Sequence, residues 1–267
     1  MSDLLRLEQL SCRFGGLVAV DSVSLGVQAG EIFGLIGPNG AGKTTLFNLI
    51  AGLTPTSGGQ VLWRGNRITG LRPERINRLG LARTFQNIRL FDNLSSRDNV
   101  IVGLNHSGRE PLLAALLARP SHQRHRQAQQ QRALDLLELL DLREVADRPA
   151  GTLAYGDRRR LEIARALATD PALLLLDEPA AGMNPVEKEE LCRLINTLRR
   201  QLNLTILIIE HHVPLMMELC DRLAVLNFGR LIALGNPDTV RRDPQVIEAY
   251  LGGQAEPAAT ATGGDRQ

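Results

Sequence analysis

Short apolar runs alternate with helical patterns in the second half of the chain. Residues 173–176 and 205–209 are almost wholly apolar and too short for helices, so we predict that both are buried strands. An apolar stripe at helical spacing follows Asn184 and Pro185, a pair that is typical of a helix start. Buried strands that alternate with helices predict an α/β fold whose parallel sheet is covered on both faces.

The N-terminal third of the chain is richer in strand patterns. Val23, Leu25 and Val27 alternate with smaller or polar residues, which indicates a half-buried strand. Residues 31–36 predict a short buried strand, and residues 45–50 predict a helix directly after a glycine-rich turn. We therefore expect a region of strands around that turn.

The middle of the chain has a helical pattern instead. Five apolar residues between 133 and 140 recur at helical spacing behind the Gln- and Arg-rich segment 123–132. Arg119, Pro120 and Ser121 indicate a loop that interrupts the helices. The middle of the chain is therefore predicted to be mostly helical.

These patterns predict how the chain is divided. We expect one domain over residues 1–251, with a core formed by 1–87 and 156–251 and a helical subdomain at about 88–155. Residues 252–267 consist largely of Gly, Ala, Thr and Pro without apolar periodicity, so we predict a disordered tail.

Composition excludes several classes of function. A formal net charge of +2 with 22% charged residues is no nucleic-acid signature, so we expect no nucleic-acid partner. The three cysteines are scattered without metal-ligand spacing, which favours a reducing compartment. The longest apolar runs are far shorter than a membrane span, so we expect a chain that is soluble by itself.

A phosphate-binding pattern precedes the predicted helix at 45–50. Residues 37–44 fit G-x-x-x-x-G-K-[ST], in which glycines let backbone N–H groups turn toward phosphate oxygens. Lys43 would reach the β- and γ-phosphates of a nucleotide, and the Thr44 hydroxyl would ligate Mg²⁺. The predicted nucleotide-binding residues here are Gly37, Pro38, Asn39, Gly40, Ala41, Gly42, Lys43, Thr44 and Thr45.

Polar residues at the ends of the two buried strands add candidate chemistry. Asp177 and Glu178 follow the first strand, where a metal ligand and a residue that polarises water would lie, although an acid pair also caps helices. His211 follows the second strand and would contact a γ-phosphate or the attacking water, but the adjacent His212 leaves this choice open. Gln86 carries almost no signal on its own.

The order and spacing of these motifs resemble an ATP-binding-cassette (ABC) ATPase. The resemblance covers about residues 4–251 and includes the signature, residues 153–157, which other phosphate-loop classes lack. It implies a phosphate-loop core with a mostly parallel sheet, an N-terminal antiparallel β part and an inserted helical subdomain. It also implies that the chain binds and hydrolyses ATP with Mg²⁺.

The resemblance implies a role for each candidate residue. Phe14 would stack on adenine, and Lys43 would hold the phosphates. Glu178 would be the general base and His211 the switch histidine. Gln86 would sense Mg²⁺ and link to the transmembrane partner. The implied metal ligands are Thr44, Gln86 and Asp177.

In such a family two cassettes close head to tail, so each signature faces the ATP of the other chain. Here the signature residues are Ala154, Tyr155, Gly156 and Asp157. Alanine stands at 154 where most cassettes have serine, and aspartate stands at 157 where glutamine is usual. If the partner chain has a standard signature, we therefore expect the ATP site that this signature completes to be the weaker of the two. Asn184 and His212 each replace an aspartate that is common in the family.

Further segments are similar to the ATPases of branched-chain amino acid importers, in particular to the larger of the two ATPases. They are residues 14–20, 177–185, 209–212 and 246–252. This similarity implies a second ABC ATPase chain, identical or different, two transmembrane permease subunits and an external solute-binding protein. It places the chain at the cytoplasmic face of the bacterial inner membrane.

Other interpretations stay open. A cassette of the same fold would serve urea or amide import, or lipopolysaccharide export. A soluble ABC ATPase of DNA repair or translation is disfavoured because there is one cassette and a middle segment of only about 60 residues. A module that senses ATP without turnover is disfavoured by Glu178.

Overall fold

The computed structural model describes residues 3–105 and 120–251, which form ten β-strands, nine α-helices and two short 3₁₀ turns. The chain passes back and forth between strand and helix after the first two strands. In order, the elements are β1 (Leu5–Phe14), β2 (Leu17–Val27), β3 (Ile32–Ile36), α1 (Lys43–Ile50), β4 (Gly58–Trp63), β5 (Asn66–Arg67), α2 (Pro73–Arg78), β6 (Leu81–Arg83), α3 (Ser96–Leu104), α4 (Pro120–Leu139), the 3₁₀ turns Arg143–Val145 and Ala150–Thr152, α5 (Tyr155–Leu167), β7 (Leu173–Asp177), α6 (Pro185–Leu202), β8 (Thr205–Ile209), α7 (Val213–Leu219), β9 (Arg222–Asn227), β10 (Arg230–Gly235), α8 (Pro237–Arg241) and α9 (Pro244–Leu251).

Two sheets organise these elements. A four-stranded antiparallel sheet has the order β2-β1-β4-β5, and a six-stranded sheet has the order β10-β9-β3-β8-β7-β6. All neighbours in the larger sheet are parallel except β10, which is antiparallel to β9 at the edge. The predicted α/β fold, with a mostly parallel sheet and an N-terminal antiparallel part, is confirmed.

The central strands are buried on both faces because nearly every residue in them is apolar. Each residue of β3, β7 and β8 is buried. Leu174 and Ile206 pair in register and face a core built with the helices, whereas Leu175 and Leu207 face a second core shared with α1 and the antiparallel sheet. The sheet therefore separates two apolar cores, as strands without a polar face require.

The middle of the chain is helical, with one difference from the sequence prediction. The apolar positions of α4 are buried where it packs against α3 and α5, as the spacing predicts. The prediction of a loop at 119–121 is wrong in part, because Pro120 and Ser121 belong to the first turn of α4. Proline suits that turn, where no intrahelical N–H bond is lost. Arg119 and the rest of 106–119 lie outside the described residues, as does the tail predicted at 252–267.

The helix start predicted at Asn184 is also observed. The Asn184 side chain accepts a bond from the Glu187 backbone N–H at 3.0 Å, and the Glu187 carboxylate accepts one from the Asn184 N–H at 2.8 Å. This capping box, with Pro185 as the first helical residue, begins α6. Across 3–105 and 120–251, no helix is both long and apolar enough to cross a membrane.

Helices α3 and α5 approach closely at Gly103, and this contact generates a stability prediction. A Cβ at Gly103 would lie 2.5 Å from the backbone oxygen of Arg165 and 2.9 Å from Cβ of Ala168. We expect Gly103→Ala to lower the free energy of unfolding by about 1–3 kcal/mol, because the overlap outweighs the roughly 1 kcal/mol that alanine gains in a helix. Urea unfolding would measure this change.

Gly16→Ala is the matched control for Gly103→Ala. An added Cβ at Gly16 meets no atom within 4 Å, and its backbone is not left-handed. Its effect should stay within about 0.5 kcal/mol. If the two variants unfold at the same urea concentration, the helix contact at Gly103 does not limit stability.

Candidate nucleotide-binding site

The phosphate loop connects the end of β3 to the start of α1. At two of its glycines, neighbouring backbone atoms leave no room for a Cβ. A Cβ at Gly37 would lie 2.1 Å from the Leu226 oxygen, and one at Gly42 would lie 2.3 Å from the Ala19 oxygen. Gly42, at φ 98°, precedes α1 and provides no side-chain cap, so the first N–H groups of α1 remain available to an anion.

Lys43 is the first residue of α1 and lies over the loop. Only 5% of it is exposed, and its Nζ donates to the backbone oxygens of Gly37 at 2.7 Å and Pro38 at 2.9 Å. Burial lowers the pKa of Lys43, and the nearby charge of Glu178 opposes that shift. Lys43 is therefore held at the loop and within electrostatic reach of the strand-end acid. The next residue, Thr44, is exposed.

Asp177 is the last residue of β7 and is 2% exposed. Its Oδ2 accepts a bond from Arg83 at 2.8 Å, whereas its buried Oδ1 has no hydrogen-bond partner in the described structure. An unpartnered buried carboxylate oxygen is unusual, because desolvation of such an atom is costly. Asp177 thus presents one oxygen that is free to bind a ligand.

Glu178 follows β7 in a left-handed backbone conformation, with φ at 47°. That region is strained for a residue with a Cβ, and strain of this kind clusters at functional sites. The Glu178 N–H donates to the Ile209 oxygen at 3.0 Å, which holds the turn against the end of β8. The conformation directs the Glu178 side chain toward residues from two other strand ends.

Gln86 and His211 converge on the Glu178 carboxylate. Gln86 Nε2 donates to Oε2 at 2.8 Å, and His211 Nε2 contacts Oε1 in a short hydrogen bond. His212 points elsewhere, because its Nδ1 accepts from the Leu215 N–H at 3.2 Å and caps α7. Of the two adjacent histidines, His211 is therefore the one that contacts the strand-end acid; its contact with a γ-phosphate or the attacking water stays a prediction.

Phe14 ends β1 and is 52% exposed. The following strand, β2, reaches the phosphate loop through the Ala19 oxygen that lies against Gly42. The exposed ring is thus carried on a hairpin beside the loop. Stacking of Phe14 on adenine stays a prediction.

The signature begins α5. Ala154 is its N-cap and makes no side-chain hydrogen bond, so the first N–H groups of the helix lack a side-chain partner. Tyr155 is 48% exposed, and Asp157 lies in the first turn, where the helix dipole favours a negative charge. Arg158 bonds to Asp92 at 2.7 Å. The role of this helix end toward the ATP of another chain stays a prediction.

Comparison with known proteins decides the family. A family model described as "ABC transporter" matches residues 20–181, which is more than half of the chain. The chain belongs to the ABC transporter family. A second model, described as "Branched-chain amino acid ATP-binding cassette transporter", matches residues 230–256. As a member of this family the chain is an ATP-binding ATPase.

Several relatives match this ABC ATPase over nearly its whole length. The high-affinity branched-chain amino acid transport ATP-binding protein LivG of Escherichia coli (strain K12) is 47% identical over 249 residues, which are 93% of this chain and 98% of LivG. The lipopolysaccharide export system ATP-binding protein LptB of Acidithiobacillus ferridurans is 38% identical over 254 residues, which are 95% of this chain and 99% of LptB.

A solved structure of similar fold is the ADP conformation of an ATP-binding cassette of an ABC transporter. It is 31% identical, has a TM-score of 0.80, and the match covers 94% of this chain and 100% of that one. The fold implied by the sequence resemblance is therefore the fold of known cassettes.

A buried ion pair in this ABC ATPase was not foreseen from sequence. Arg159 is fully buried and donates to Glu162 at 3.0 Å, to the Phe85 oxygen at 2.7 Å and to the Gln86 oxygen at 2.9 Å. Glu162 in turn accepts from the N–H groups of Phe85 and Arg89, both at 3.3 Å. Burial raises the pKa of Glu162, and the Arg159 charge opposes that shift.

This pair connects the signature helix to the segment that carries Gln86. Arg159 on α5 donates to the backbone oxygen of Gln86, and the Gln86 side chain donates to Glu178. These two hydrogen bonds link α5 to the strand-end acid. The only signal in the sequence is an opposite-charge pair at i and i+3, which is equally typical of exposed helix surfaces. Burial of this pair is therefore a property of the tertiary structure.

The phosphate loop and Glu178 generate a prediction about ATP turnover. Glu178→Gln should keep ATP binding and lower turnover by about 10²–10⁴-fold, because it removes only the carboxylate that takes the proton of water. Lys43→Ala should lose tight ATP binding, because it removes the fixed positive charge on the phosphates. Nucleotide affinity and phosphate release would be measured for both.

Glu189→Gln, which neutralises an exposed carboxylate on α6, is the control for charge removal. It should bind and hydrolyse ATP as the wild type does. Hydrolysis by Glu178→Gln at the wild-type rate would show that another group acts as the base.

The Arg159–Glu162 pair generates a prediction about stability. Arg159→Met should lower the free energy of unfolding by about 3–5 kcal/mol, because it leaves a buried carboxylate without its cation. Adding Glu162→Leu should recover part of the loss, because the uncompensated charge is then gone. Arg193→Met, which removes an exposed partner of Glu189, should change stability by less than about 1 kcal/mol.

Chemical unfolding of the single and double variants would measure this coupling. The coupling would be contradicted if the double variant lost more unfolding free energy than the two single variants lose together.

Proposed function

We propose that this ABC ATPase is the ATP-hydrolysing subunit of an importer for branched-chain or related hydrophobic amino acids. The observation that carries this proposal is its 47% identity to LivG over 98% of that protein, together with the match of residues 230–256 to the branched-chain amino acid cassette model. The strand-end geometry supports hydrolysis rather than nucleotide sensing, since the candidate base Glu178 is present and held by two side chains.

The proposed chemistry follows from that geometry. Lys43 and the N–H groups of the phosphate loop hold the β- and γ-phosphates, and Glu178 accepts the proton of the attacking water. Gln86 and His211 keep the Glu178 carboxylate in position, because each bonds to a different oxygen. Phosphoryl transfer depends on such positioning and on charge stabilisation more than on covalent chemistry.

The residues present fit a magnesium ion. Among the described residues, Asp177 has a buried oxygen without a hydrogen-bond partner, and Thr44, which follows Lys43 in sequence, is exposed. Gln86 donates through Nε2, so its amide oxygen would be the atom that holds the metal. No group of three or more His, Cys, Asp or Glu side chains within the described residues could hold a metal ion. Mg²⁺ is usually bound by one or two carboxylates together with substrate phosphates. Bound there, Mg²⁺ would neutralise charge that develops on the β- and γ-oxygens.

We further propose the assembly in which this chain works. One cassette of similar fold has been solved as a dimer, and another is part of an ABC transporter complex. In the proposed complex a second ATPase chain faces the signature at 153–157, and two permeases place the chain at the cytoplasmic face of the bacterial inner membrane. An external solute-binding protein delivers the amino acid. We propose no nucleic-acid partner.

Exposed apolar side chains support a permease contact near Gln86. Phe91 and Leu94 are 49% and 38% exposed and follow, along the chain, the segment that the Arg159–Glu162 pair holds. Val102 on α3 is 42% exposed. A permease helix on this surface would bury apolar area and would touch the backbone that leads to Gln86. This surface is where we place the link between transport and hydrolysis.

Lipopolysaccharide export is the second candidate, because LptB is 38% identical over 95% of this chain. The lower identity ranks it behind amino-acid import. The two functions share the ATP site and differ in the membrane partner, so the ATP site alone does not separate them.

The proposed function predicts the phenotype of cells that lack this chain. Uptake of labelled leucine should fall, and it should return with the wild-type chain but not with Glu178→Gln, which folds and binds ATP. ATPase activity of the purified chain should rise on addition of permease-containing vesicles and not on addition of DNA or ribosomes. Unchanged leucine uptake with loss of lipopolysaccharide from the cell surface would favour export instead.

A further inference from the structure

Arg83 joins two parts of the nucleotide-binding site. It ends β6, and only 7% of its side chain is exposed. One guanidinium nitrogen donates to Asn48 Oδ1 on α1 at 2.7 Å, and another donates to Asp177 Oδ2 at the end of β7 at 2.8 Å. The guanidinium also lies 5.6 Å from the Phe47 ring centroid and 5.4 Å from that of Phe85.

The two oxygens of Asp177 therefore differ. Oδ2 is occupied by Arg83, and Oδ1 is buried without a hydrogen-bond partner among the described residues. A carboxylate rotates readily about its last bond, and its two oxygens are chemically equivalent until one is bound. The bond from Arg83 removes that freedom and determines which oxygen is left for a ligand.

We propose that Arg83 is a positioning residue for the magnesium site. It orients Asp177 so that Oδ1 faces the metal or a metal-bound water, and through Asn48 it keeps α1, which carries Thr44, at a constant position relative to Asp177. This inference rests on the proposed role of Thr44 and Asp177 in binding Mg²⁺. Neither the phosphate-loop pattern nor the strand-end acid pair assigns this role to Arg83.

Arginine suits this role better than lysine. Its planar fork donates from separate nitrogens to two acceptors at once, whereas a lysine ammonium acts as a single point charge. The flanking rings of Phe47 and Phe85 further restrict the guanidinium. Lysine at this position would retain the charge beside Asp177 but lose the rigid connection to Asn48.

Loss of Arg83 has two opposing effects on metal binding. It removes a positive charge that repels a cation, and it releases a buried carboxylate that is then free to reorient. We expect the second effect to dominate, because Asp177 is 2% exposed and its side chain would keep no other hydrogen-bond partner among the described residues. Removal of a residue that orients a metal ligand typically weakens metal binding by about 10–100-fold.

The experiment titrates Mg²⁺ against the full-length chain with a fluorescent ATP analogue, with metal-free samples in EDTA as the baseline. Arg83→Met should raise the half-saturating Mg²⁺ concentration at least about tenfold and leave the affinity for the metal-free analogue unchanged. Arg83→Lys should lie between the wild type and Arg83→Met. Mn²⁺ binding, followed by electron paramagnetic resonance, should show the same order.

Arg222→Met is the matched control. Arg222 also pairs with a buried carboxylate, Glu31 at 3.2 Å, and lies 5.3 Å from the Phe33 ring, but it begins β9 at the opposite end of the sheet. The Arg222→Met variant should have a lower free energy of unfolding and an unchanged half-saturating Mg²⁺ concentration. An equal shift in Mg²⁺ dependence for Arg222→Met and Arg83→Met would overturn the proposal, because the effect would then be general destabilisation.

Asp177→Asn separates the failure of this inference from the failure of the magnesium site. One outcome is that Asp177→Asn weakens Mg²⁺ binding while Arg83→Met and Arg83→Lys bind Mg²⁺ as the wild type does. In that case the role proposed for Arg83 is wrong and the metal site stands. If Asp177→Asn and Thr44→Ala also titrate as the wild type, both the site and the inference are wrong. If Arg83→Met fails to fold, Arg83→Lys decides. A half-saturating Mg²⁺ concentration equal to that of the wild type overturns the proposal, and a raised one supports it.

Discussion

Burial of three apolar strands on both faces is the constraint on which the rest of this structure depends. Strands β3, β7 and β8 have no polar face, so they must lie inside a sheet with packed layers on each side. Parallel pairing then brings their carboxyl ends to one edge. The phosphate loop, the strand-end acids and His211 follow these three strands directly, so they meet at that edge.

This edge collects charged groups that are costly to bury. Lys43, Asp177 and Glu178 are each less than 10% exposed, and behind them lie Arg159 and Glu162. Each charge has a partner of opposite sign or a set of hydrogen bonds, which is how such groups are retained in an apolar interior. Among the carboxylate oxygens of the described residues, only Oδ1 of Asp177 is buried without a hydrogen-bond partner, and this supports the proposal that it is a ligand position rather than part of a structural ion pair.

The geometry of the proposed ATP site does not select the transported solute. Relatives named for amino-acid transport and for lipopolysaccharide export match this chain at 47% and 38% identity over nearly its full length. A shared fold and a shared ATP site are compatible with different tasks, because the task depends on what the cassette touches. The exposed apolar residues beside Gln86 are the part of this chain that we propose to touch the membrane partner.

The sequence by itself determined the features that depend on near neighbours. Buried strands, the loop at 37–44 and the capping box at Asn184 all follow from residues within a few positions of one another. Tertiary structure decided which distant residues meet. Arg83 and Asp177 are 94 positions apart and bond because β6 pairs with β7, a strand order that no local pattern encodes. Likewise, the strand pattern alone does not distinguish His211 from His212, although the family resemblance favours His211. The direction of the chain after β8 brings His211 to Glu178 and His212 to the start of α7.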